Sequence, residues 1–332
     1  MDSNTQEQAP LLEARGLQTH FFTRVGVVKA VNDVNFQVMP GETLGLVGES
    51  GSGKTITVMS ILGLLPRGAE RLKGEILFEG EDLAKKTEKE MQDVRGKRIG
   101  LILQNSMAAM DPVFTIGTQI GESLVVHKKM SWKESLQNAV DLLRKVRIGA
   151  PELRIKNFPH ELSGGMRQRA ASAAAIGPQP ALLIADEPTT ALDVTTQRQY
   201  LELLKELQAQ TGVAIIFITH DMSIVGSLCD RIAVFYGGLV VETGPKDELF
   251  KNPTHPYTKA LLGAIPVLGD KVDRLQSVEG EPPNPGQLPP GCPFAPRCSA
   301  AMDKCHTGDP PPQYQVSDVH GVRCWLMEEE NA

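Results

Sequence analysis

The chain has 332 residues, of which 41% are hydrophobic and 22% charged, so it is long enough for one large globular domain or one domain with a smaller appendage. Its net charge of -6 lacks the basic excess of proteins that bind nucleic acid or an anionic membrane surface, which argues against both partners. The N-terminus MDSNTQEQAP has no apolar segment typical of a secretory signal, and no apolar run approaches the roughly 18 residues of a membrane-spanning helix. We therefore expect a chain that starts in the cytosol and meets a membrane only through partner subunits.

Four short apolar runs predict a buried parallel sheet. They span residues 42–48, 98–104, 181–187 and 213–220, and each is rich in Val, Ile and Leu. Continuous apolar strands of this length are typical of a parallel sheet that is covered on both faces, with helices between its strands. The predicted fold class is therefore α/β.

Two further segments predict an antiparallel β layer beside this core. In residues 27–42 apolar and polar side chains alternate, and the segment ends at a Pro-Gly turn. Residues 72–83 have a strand pattern bounded by glycine. Residues 231–244 predict a hairpin that turns at Gly237-Gly238.

From about residue 105 to 168 the strand signals stop, which predicts a helical subdomain. Ser131 and Glu134 have the spacing of a capping box at the start of one helix. We expect one face of that helix to carry four apolar residues, Leu136, Ala139, Leu143 and Val146.

A glycine-rich loop follows the first apolar strand and precedes a helical segment. Its residues are Gly48, Glu49, Ser50, Gly51, Ser52, Gly53, Lys54 and Thr55, which match the pattern G-x-x-x-x-G-K-[ST]. In that setting the backbone N–H groups bind phosphate oxygens, Lys54 reaches the β and γ phosphates, and Thr55 is a ligand of Mg²⁺. The alternative is a Gly/Ser-rich turn that matches the pattern by chance.

Two carboxylates end the strand over residues 181–187. Asp186 is suited to hold Mg²⁺ through water, and Glu187 is the candidate to polarise the water that attacks the γ phosphate. The alternative is a solvated strand end that happens to carry two acids.

The segment LSGGMRQR places Ser163, Gly164 and Gly165 at the start of a helix, where N–H groups bind anions. With the P-loop (Gly48–Thr55) before it and DEPTTALD after it, the chain resembles the nucleotide-binding subunits of ATP-binding cassette (ABC) transporters from residue 11 to about 250. The resemblance implies a P-loop NTPase cassette with a RecA-like parallel core, an antiparallel β layer and a helical subdomain.

The same resemblance assigns roles to single residues. Gln104 matches the glutamine that senses Mg²⁺ and nucleotide, and His220 matches the histidine that contacts the γ phosphate. Asp193 matches the aspartate that crosses the interface of a head-to-tail dimer, in which Ser163–Gly165 of one subunit reach the ATP of the other. Either Phe21 or Phe22 stacks on adenine, with position favouring Phe21; the alternative is a core aromatic.

Two positions depart from the family pattern. Met166 stands where Gln is commoner, and we expect little effect because backbone N–H groups and Ser163 do most of the binding. Asn105-Ser106 replaces the common acidic-Pro pair after Gln104, so the local turn and the surface that meets the membrane subunit are expected to differ.

The segment NPTHPYTKALLGAIP over residues 252–266, followed by CPFAPRC, resembles the oligopeptide/dipeptide importer branch of this family. It implies a polar tail over residues 1–10, a cassette over 11–254 and an irregular C-terminal extension over 255–332. The implied partners are a second, different ATPase subunit, two transmembrane permease subunits and, indirectly, an extracytoplasmic substrate-binding protein. The implied location is peripheral, on the cytoplasmic face of the bacterial inner membrane.

Four of the five cysteines lie after residue 290, with the spacing C-x5-C-x6-C-x18-C. They are Cys292, Cys298, Cys305 and Cys324. Four thiolates suit a tetrahedral Zn²⁺ as well as an iron-sulfur cluster, and free or disulfide-paired thiols are a further alternative. The resemblance implies a [4Fe-4S] cluster that staples the extension. Cys229 is predicted to be a small core residue.

Other functions remain open at this stage. The cargo of relatives with similar cassettes includes oligosaccharides, opines, glutathione and nickel. A soluble ABC ATPase of DNA repair would need a long coiled coil between the P-loop and LSGG, and a translation factor would carry two cassettes. An iron-sulfur redox enzyme would leave a complete ATPase site unexplained.

Overall fold

The computed structural model describes residues 9–104, 109–265 and 278–330. Most of the expected N-terminal tail lies outside these ranges, as do Asn105 and Ser106, so the expected departure after Gln104 stays a prediction. The strands in chain order are β1 Leu12–Thr23, β2 Gly26–Val38, β3 Thr43–Val47, β4 Ala69–Phe78, β5 Glu81–Asp82, β6 Ile99–Ile102, β7 Leu182–Asp186, β8 Ala214–Thr219, β9 Arg231–Tyr236, β10 Leu239–Pro245, β11 Tyr314–Ser317 and β12 His320–Val322.

The described chain also contains helices, some of them single between strands and four of them in succession between β6 and β7. In order they are α1 Lys54–Leu62, α2 Glu88–Val94, α3 Ile116–Lys128, α4 Trp132–Lys145, α5 Pro151–Arg154, α6 Gly164–Ile176, α7 Val194–Thr211, α8 Met222–Leu228, α9 Lys246–Lys251, α10 Pro256–Gly263 and α11 Leu326–Glu330. None of the helices within the described ranges has the length and apolar character needed to cross a bilayer.

The described chain forms two compact units. The first is drawn from residues up to Val38, from Thr43–Ala84 and from Thr219 onward, and the second from Met39–Glu42 and Lys85–Ile218. The units follow the contacts of the chain and do not test the expected boundaries of tail, cassette and extension, which stay predictions.

The first unit contains the predicted antiparallel layer, in the strand order β2-β1-β4-β5. Its other strands run in the order β11-β12-β10-β9-β3, with β3 parallel to β9 and the remaining pairs antiparallel. The predicted hairpin is present, because β9 and β10 are joined by Gly237 and Gly238 at φ of 55° and 81°. Both values lie in the left-handed region that a two-residue hairpin turn of this type requires.

The second unit contains three parallel strands in the order β8-β7-β6. The residues of β7 and β8 are buried throughout, which fits their continuous apolar sequence. Between residue 109 and Ser163 the described chain is helical, as predicted, and α3 packs against α4 and α6.

The capping box of α4 forms as predicted. The Ser131 hydroxyl accepts a hydrogen bond from the Glu134 N–H at 3.3 Å, and the Glu134 carboxylate accepts one from the Ser131 N–H at 3.0 Å. The residues predicted to share one apolar face differ in burial: Leu136 is 39% exposed, whereas Ala139, Leu143 and Val146 are buried. Val140 lies on the buried face instead, because that face follows the 3.6-residue period from Ser135 through Ala139 to Leu143.

Candidate functional site

The loop from Gly48 to Thr55 joins β3 to α1 and depends on glycine at two close approaches. Gly48 has φ of 153°, and a Cβ there would lie 2.2 Å from the Phe235 carbonyl oxygen. Gly53 has φ of 105°, and a Cβ there would lie 2.5 Å from the Ala30 carbonyl oxygen. Because both obstacles are backbone atoms, the strand–loop–helix geometry is available only to glycine at these positions.

Lys54 lies inside the curve of this loop. Its side chain is buried, and Nζ donates to the carbonyl oxygens of Gly48 at 2.7 Å and Glu49 at 3.0 Å and to Ser52 Oγ at 3.3 Å. A buried ammonium group requires such partners. The contacts hold one positive charge inside a loop that leads into the N-terminus of α1, and a cation beside a helix N-terminus is the chemistry that binds polyphosphate.

The two predicted carboxylates lie at the end of β7, in the second unit. Asp186 is the last residue of the strand and is 3% exposed. Glu187 follows with φ of +43°, an uncommon conformation for a residue with a side chain. Its Oε2 accepts hydrogen bonds from Gln104 Nε2 and from Thr190 Oγ1, each at 3.0 Å, so the structure brings two predicted site residues, Gln104 and Glu187, into contact.

Ser163 begins α6 as its N-cap, and its hydroxyl accepts a hydrogen bond from the Met166 N–H at 3.3 Å. Gly164 and Gly165 are the first two residues of the helix. These three residues and Asp193 line one cavity of about 570 Å³, together with Arg147 and Arg169. A helix N-terminus and two arginines make this cavity suited to an anion.

Asp193 has a local role that sequence reasoning did not assign. It is the N-cap of α7 and accepts hydrogen bonds from Thr196, from Oγ1 at 2.7 Å and from N–H at 2.9 Å. The side-chain hydrogen bond from Thr196, followed by that from its backbone, lowers the pKa of the Asp193 carboxyl. The carboxylate is therefore fixed in direction and charge on the lining of the cavity.

The two remaining predicted residues lie in the first unit. His220 is exposed and follows β8. Phe21 is half-buried in β1, paired with Val28 of β2, whereas Phe22 is 47% exposed. Neither the strand pairing nor the exposure of the two phenylalanines bears on adenine stacking, which stays a prediction.

The four clustered cysteines lie near one another in the extension, where Cys305 is buried and the others are half-buried. Burial raises the pKa of the Cys292 thiol to about 11, with smaller contributions from the thiols of Cys305, Cys324 and Cys298. Burial also raises the pKa of Cys298 and of Cys324. Cys229 is fully buried at the end of α8, as predicted for a core residue.

The four thiols do not form a metal-binding arrangement in the part of the chain that the structure describes. Among the described residues, no set of three or more His, Cys, Asp or Glu side chains is arranged to hold a metal ion. The structure therefore does not support the expected [4Fe-4S] cluster, although all four of its predicted ligands lie after residue 290.

Sequence reasoning missed two contacts of the extension with the cassette. Arg297 forms a bidentate ion pair with Glu49 of the P-loop, at 2.7 and 3.0 Å. His320 Nε2 lies 2.8 Å from Glu242 Oε1, and both side chains are buried. The sequence shows the four residues but not their pairing, because the partners of each pair are far apart in the chain and belong to no recognisable motif.

A family model described as "ABC transporter" matches residues 31–190, and one described as "Oligopeptide/dipeptide transporter, C-terminal region" matches residues 241–305. The second match includes Cys292, Cys298 and Cys305.

Curated relatives are similar over nearly the whole chain. The oligopeptide transport ATP-binding protein AppD of Bacillus subtilis (strain 168) is 48% identical and covers 97% of this chain and 98% of its own length. The oligopeptide transport ATP-binding protein OppD of the same organism is 49% identical over 96% of this chain and 90% of its own length. The dipeptide transport ATP-binding protein DppD, also from that organism, is 46% identical over 96% and 95%.

Solved structures of ABC proteins are similar to somewhat less than three quarters of this chain. The ATP-binding cassette MJ0796, in a dimeric post-hydrolysis state bound to ADP and Pi, is 25% identical with a TM-score of 0.64. It covers 71% of this chain and 98% of its own. CbiO1 from Clostridium perfringens, described as part of the ABC transporter complex cbiONQ, is 26% identical with a TM-score of 0.63, over 73% of this chain and 91% of its own.

Proposed function

The chain belongs to the ATP-binding subunits of ABC transporters, in the oligopeptide/dipeptide importer branch, and from this premise we propose that its ATP hydrolysis powers uptake of di- and oligopeptides. The observation that carries the proposal is the coincidence, in one chain, of the P-loop geometry with a C-terminal region matching the peptide-importer model. The chain is an ABC ATPase, and its relatives AppD, OppD and DppD are described as oligopeptide or dipeptide transport ATP-binding proteins, which supports the proposed cargo.

In the proposed mechanism the P-loop binds the β and γ phosphates. The backbone N–H groups at the start of α1 and the Lys54 ammonium group supply positive charge, and Lys54 exchanges its loop carbonyls for phosphate oxygens. The Thr55 hydroxyl and the Asp186 carboxylate are each of the oxygen type that Mg²⁺ prefers, and each is proposed as a ligand of an ion that would neutralise phosphate charge. Phe21 stacks on the adenine.

Hydrolysis requires a water in line with the γ phosphate. Glu187, oriented by Gln104, accepts a proton from this water as the water oxygen bonds to the γ phosphorus. The bond between that phosphorus and the β–γ bridging oxygen breaks, and its electrons stay on ADP. His220 donates a hydrogen bond to the γ phosphate during this step.

The segment Ser163–Gly165 is proposed to bind the γ phosphate held by the P-loop of a second ATPase subunit, and Asp193, which lines the same cavity, is proposed to cross the interface between the two subunits. Two subunits then close head to tail over two ATP molecules and reopen after hydrolysis. We propose a heterodimer with a different ATPase subunit, attached to two permease subunits that receive peptide from a substrate-binding protein. This arrangement places the chain on the cytoplasmic face of the bacterial inner membrane.

The experiment is reconstitution of the chain with its permease and ATPase partners in proteoliposomes. We expect peptide uptake that requires ATP and binding protein, together with peptide-stimulated ATP hydrolysis. Uptake of an oligosaccharide, an opine, glutathione or nickel in place of peptides would support a different cargo for the same ATPase. Copurification of two copies of this chain without a second ATPase would contradict the heterodimer.

We also propose that Cys292, Cys298, Cys305 and Cys324 hold a [4Fe-4S] cluster, with Zn²⁺ as the alternative. The donor type fits, since all four side chains are thiols, the ligands that iron-sulfur clusters take in proteins, and the matched C-terminal region includes three of them. The cluster would staple an extension that lacks a core of its own.

A further inference from the structure

Glu49, the second residue of the P-loop, is held by the C-terminal extension at two places. Its carboxylate pairs with Arg297, whose NH1 and NH2 lie 2.7 and 3.0 Å from the two carboxylate oxygens. Its backbone N–H donates to the hydroxyl of Tyr257 on α10 at 3.0 Å. Both contacts lie within the first unit.

Arg297 is built into its place. Its side chain is 5% exposed, while that of Glu49 is 26% exposed. Besides Glu49, the guanidinium group donates to the hydroxyl of Tyr236 at 3.1 Å and to the carbonyl oxygens of Val278 at 3.1 Å and Glu279 at 2.8 Å. A planar fork with this many partners has one orientation, so its position is set by the extension.

The extension also lines the outer side of the loop. Pro282, Pro283 and Pro285 border a cavity of about 60 Å³ with Glu49–Ser52. The carbonyl oxygen of Pro285 accepts a hydrogen bond from the N–H of Lys29 on β2 at 3.0 Å. The cavity is narrow, so displacement of the loop toward it would meet these prolines.

These contacts continue into the phosphate-binding centre. The Glu49 carbonyl oxygen accepts a hydrogen bond from Lys54 Nζ, so one residue carries Arg297 on its side chain and Lys54 on its backbone. Arg297 also lies between Cys292 and Cys298 in the chain. The thiol-bearing segment and the P-loop lysine are therefore two ends of one continuous series of contacts.

We propose that Arg297 is a positioning residue for ATP binding, through which the C-terminal extension holds the P-loop in its phosphate-binding shape. The inference rests on the proposed ATP site. Loss of the Arg297–Glu49 ion pair would release the Glu49 side chain and lower the affinity of the chain for ATP. A contact that only docks the extension would stabilise the fold and leave ATP affinity unchanged.

The test is the dissociation constant of Mg²⁺-ATP for the purified full chain, measured by calorimetry with thermal unfolding in parallel. We expect Arg297→Met to raise this constant about tenfold, and Arg297→Lys, which keeps the charge and loses the fork, about threefold. Glu49→Gln should resemble Arg297→Met. The double variant should bind ATP no more weakly than the single variant with the lower affinity, because both substitutions remove the same ion pair.

The matched control is Arg15→Met, which removes a bidentate pair with Glu13 at 2.7 and 2.8 Å on β1 of the same unit. It should leave the dissociation constant unchanged. In the assembled transporter, Arg297→Lys should raise the KM for ATP by a larger factor than it lowers kcat.

Wild-type affinity in folded Arg297→Lys and Glu49→Gln would overturn the proposal, even if both variants melt at lower temperature. These two variants decide the question if Arg297→Met does not fold. Because binding is measured without permeases or turnover, that result would leave the proposed transport function standing. Absence of any ATP binding in the unmodified chain would instead contradict the proposed ATP site.

Discussion

Gln104 and Glu187 meet across 3.0 Å, where the side-chain amide of the first donates to Oε2 of the second. The two residues follow β6 and β7, which are adjacent and parallel, so their loops leave the sheet at the same edge. Thr190 donates to the same carboxylate oxygen. A carboxylate that is held by two donors has a fixed direction, which a water-activating base needs.

Replacing Glu187 with Gln should therefore stop ATP turnover while leaving ATP binding intact. The amide keeps the size of the side chain but accepts no proton at neutral pH, and we expect kcat of the assembled transporter to fall about a hundredfold or more. The measurement is steady-state phosphate release, with the dissociation constant of ATP determined alongside. Glu202→Gln, on the exposed face of α7, is the control and should retain full turnover. Unchanged turnover in Glu187→Gln would remove this residue from the mechanism.

Gly48→Ala should damage the P-loop more than Gly51→Ala does. Both glycines have positive φ, which costs an L-residue about 1–2 kcal/mol, but only the Cβ at Gly48 would meet a backbone oxygen, at 2.2 Å. A Cβ at Gly51 would find nothing within 4 Å. We expect Gly51→Ala to lower the free energy of unfolding by about 1 kcal/mol and Gly48→Ala to lower it by more and to abolish ATP binding. Urea unfolding and ATP titration of the two variants give the comparison, and equal losses would contradict the steric argument.

The elements that the sequence predicts well are those whose signals are local. The four apolar runs became β3, β6, β7 and β8, and the Gly237-Gly238 turn formed because positive φ is a property of single residues. The capping box of α4 depends on two residues that are three positions apart. In each case the physical cause lies within a few residues, where a pattern can record it.

The contacts that the sequence did not predict join distant parts of the chain. Arg297 and Glu49 are separated by 248 positions, and Glu242 and His320 by 78. Which arginine meets which glutamate is decided by how the extension packs, and composition carries no record of this. The exposure of Leu136 was not predictable for a related reason: only the neighbours of α4 determine which part of its apolar surface is covered.

The proposed cluster predicts about four irons per chain in protein purified without oxygen. Cys292→Ser should lose this iron together with acid-labile sulfide, because three thiolates remain for a site that requires four. Cys229→Ala is the control, since Cys229 is buried at the end of α8 and belongs to the core. The measurement is iron, sulfide and zinc analysis with a visible spectrum. One zinc per chain would establish the alternative metal, and absence of all metal would contradict both.

The free energy of unfolding should fall as the pH is lowered from 6.5 toward 4, because of His255. Burial lowers the pKa of this side chain to about 4. The nearby Glu242 carboxylate opposes this shift, and Lys259 adds to it. The folded state thus keeps His255 neutral, while the unfolded chain binds a proton below about pH 6.5, so the stabilising contribution is complete above that pH and is lost below it. At pH 5 the loss from this residue is about 2 kcal/mol.

His255→Asn should reduce this pH dependence and preserve the helix. The His255 Nδ1 atom is the N-cap acceptor for the Tyr257 N–H at 3.0 Å, and Asn supplies a side-chain oxygen for the same role without a titrating group. Glu242 adds a loss of the same sign at lower pH: burial acts to raise its pKa, but the ring of His320 and the N–H groups of Thr254 and His255 outweigh burial and lower it. Chemical unfolding at pH 7 and pH 5 measures the difference, with His306→Asn, at an exposed position, as the control. An equal slope in His255→Asn and the unmodified chain would show that another group carries the acid sensitivity.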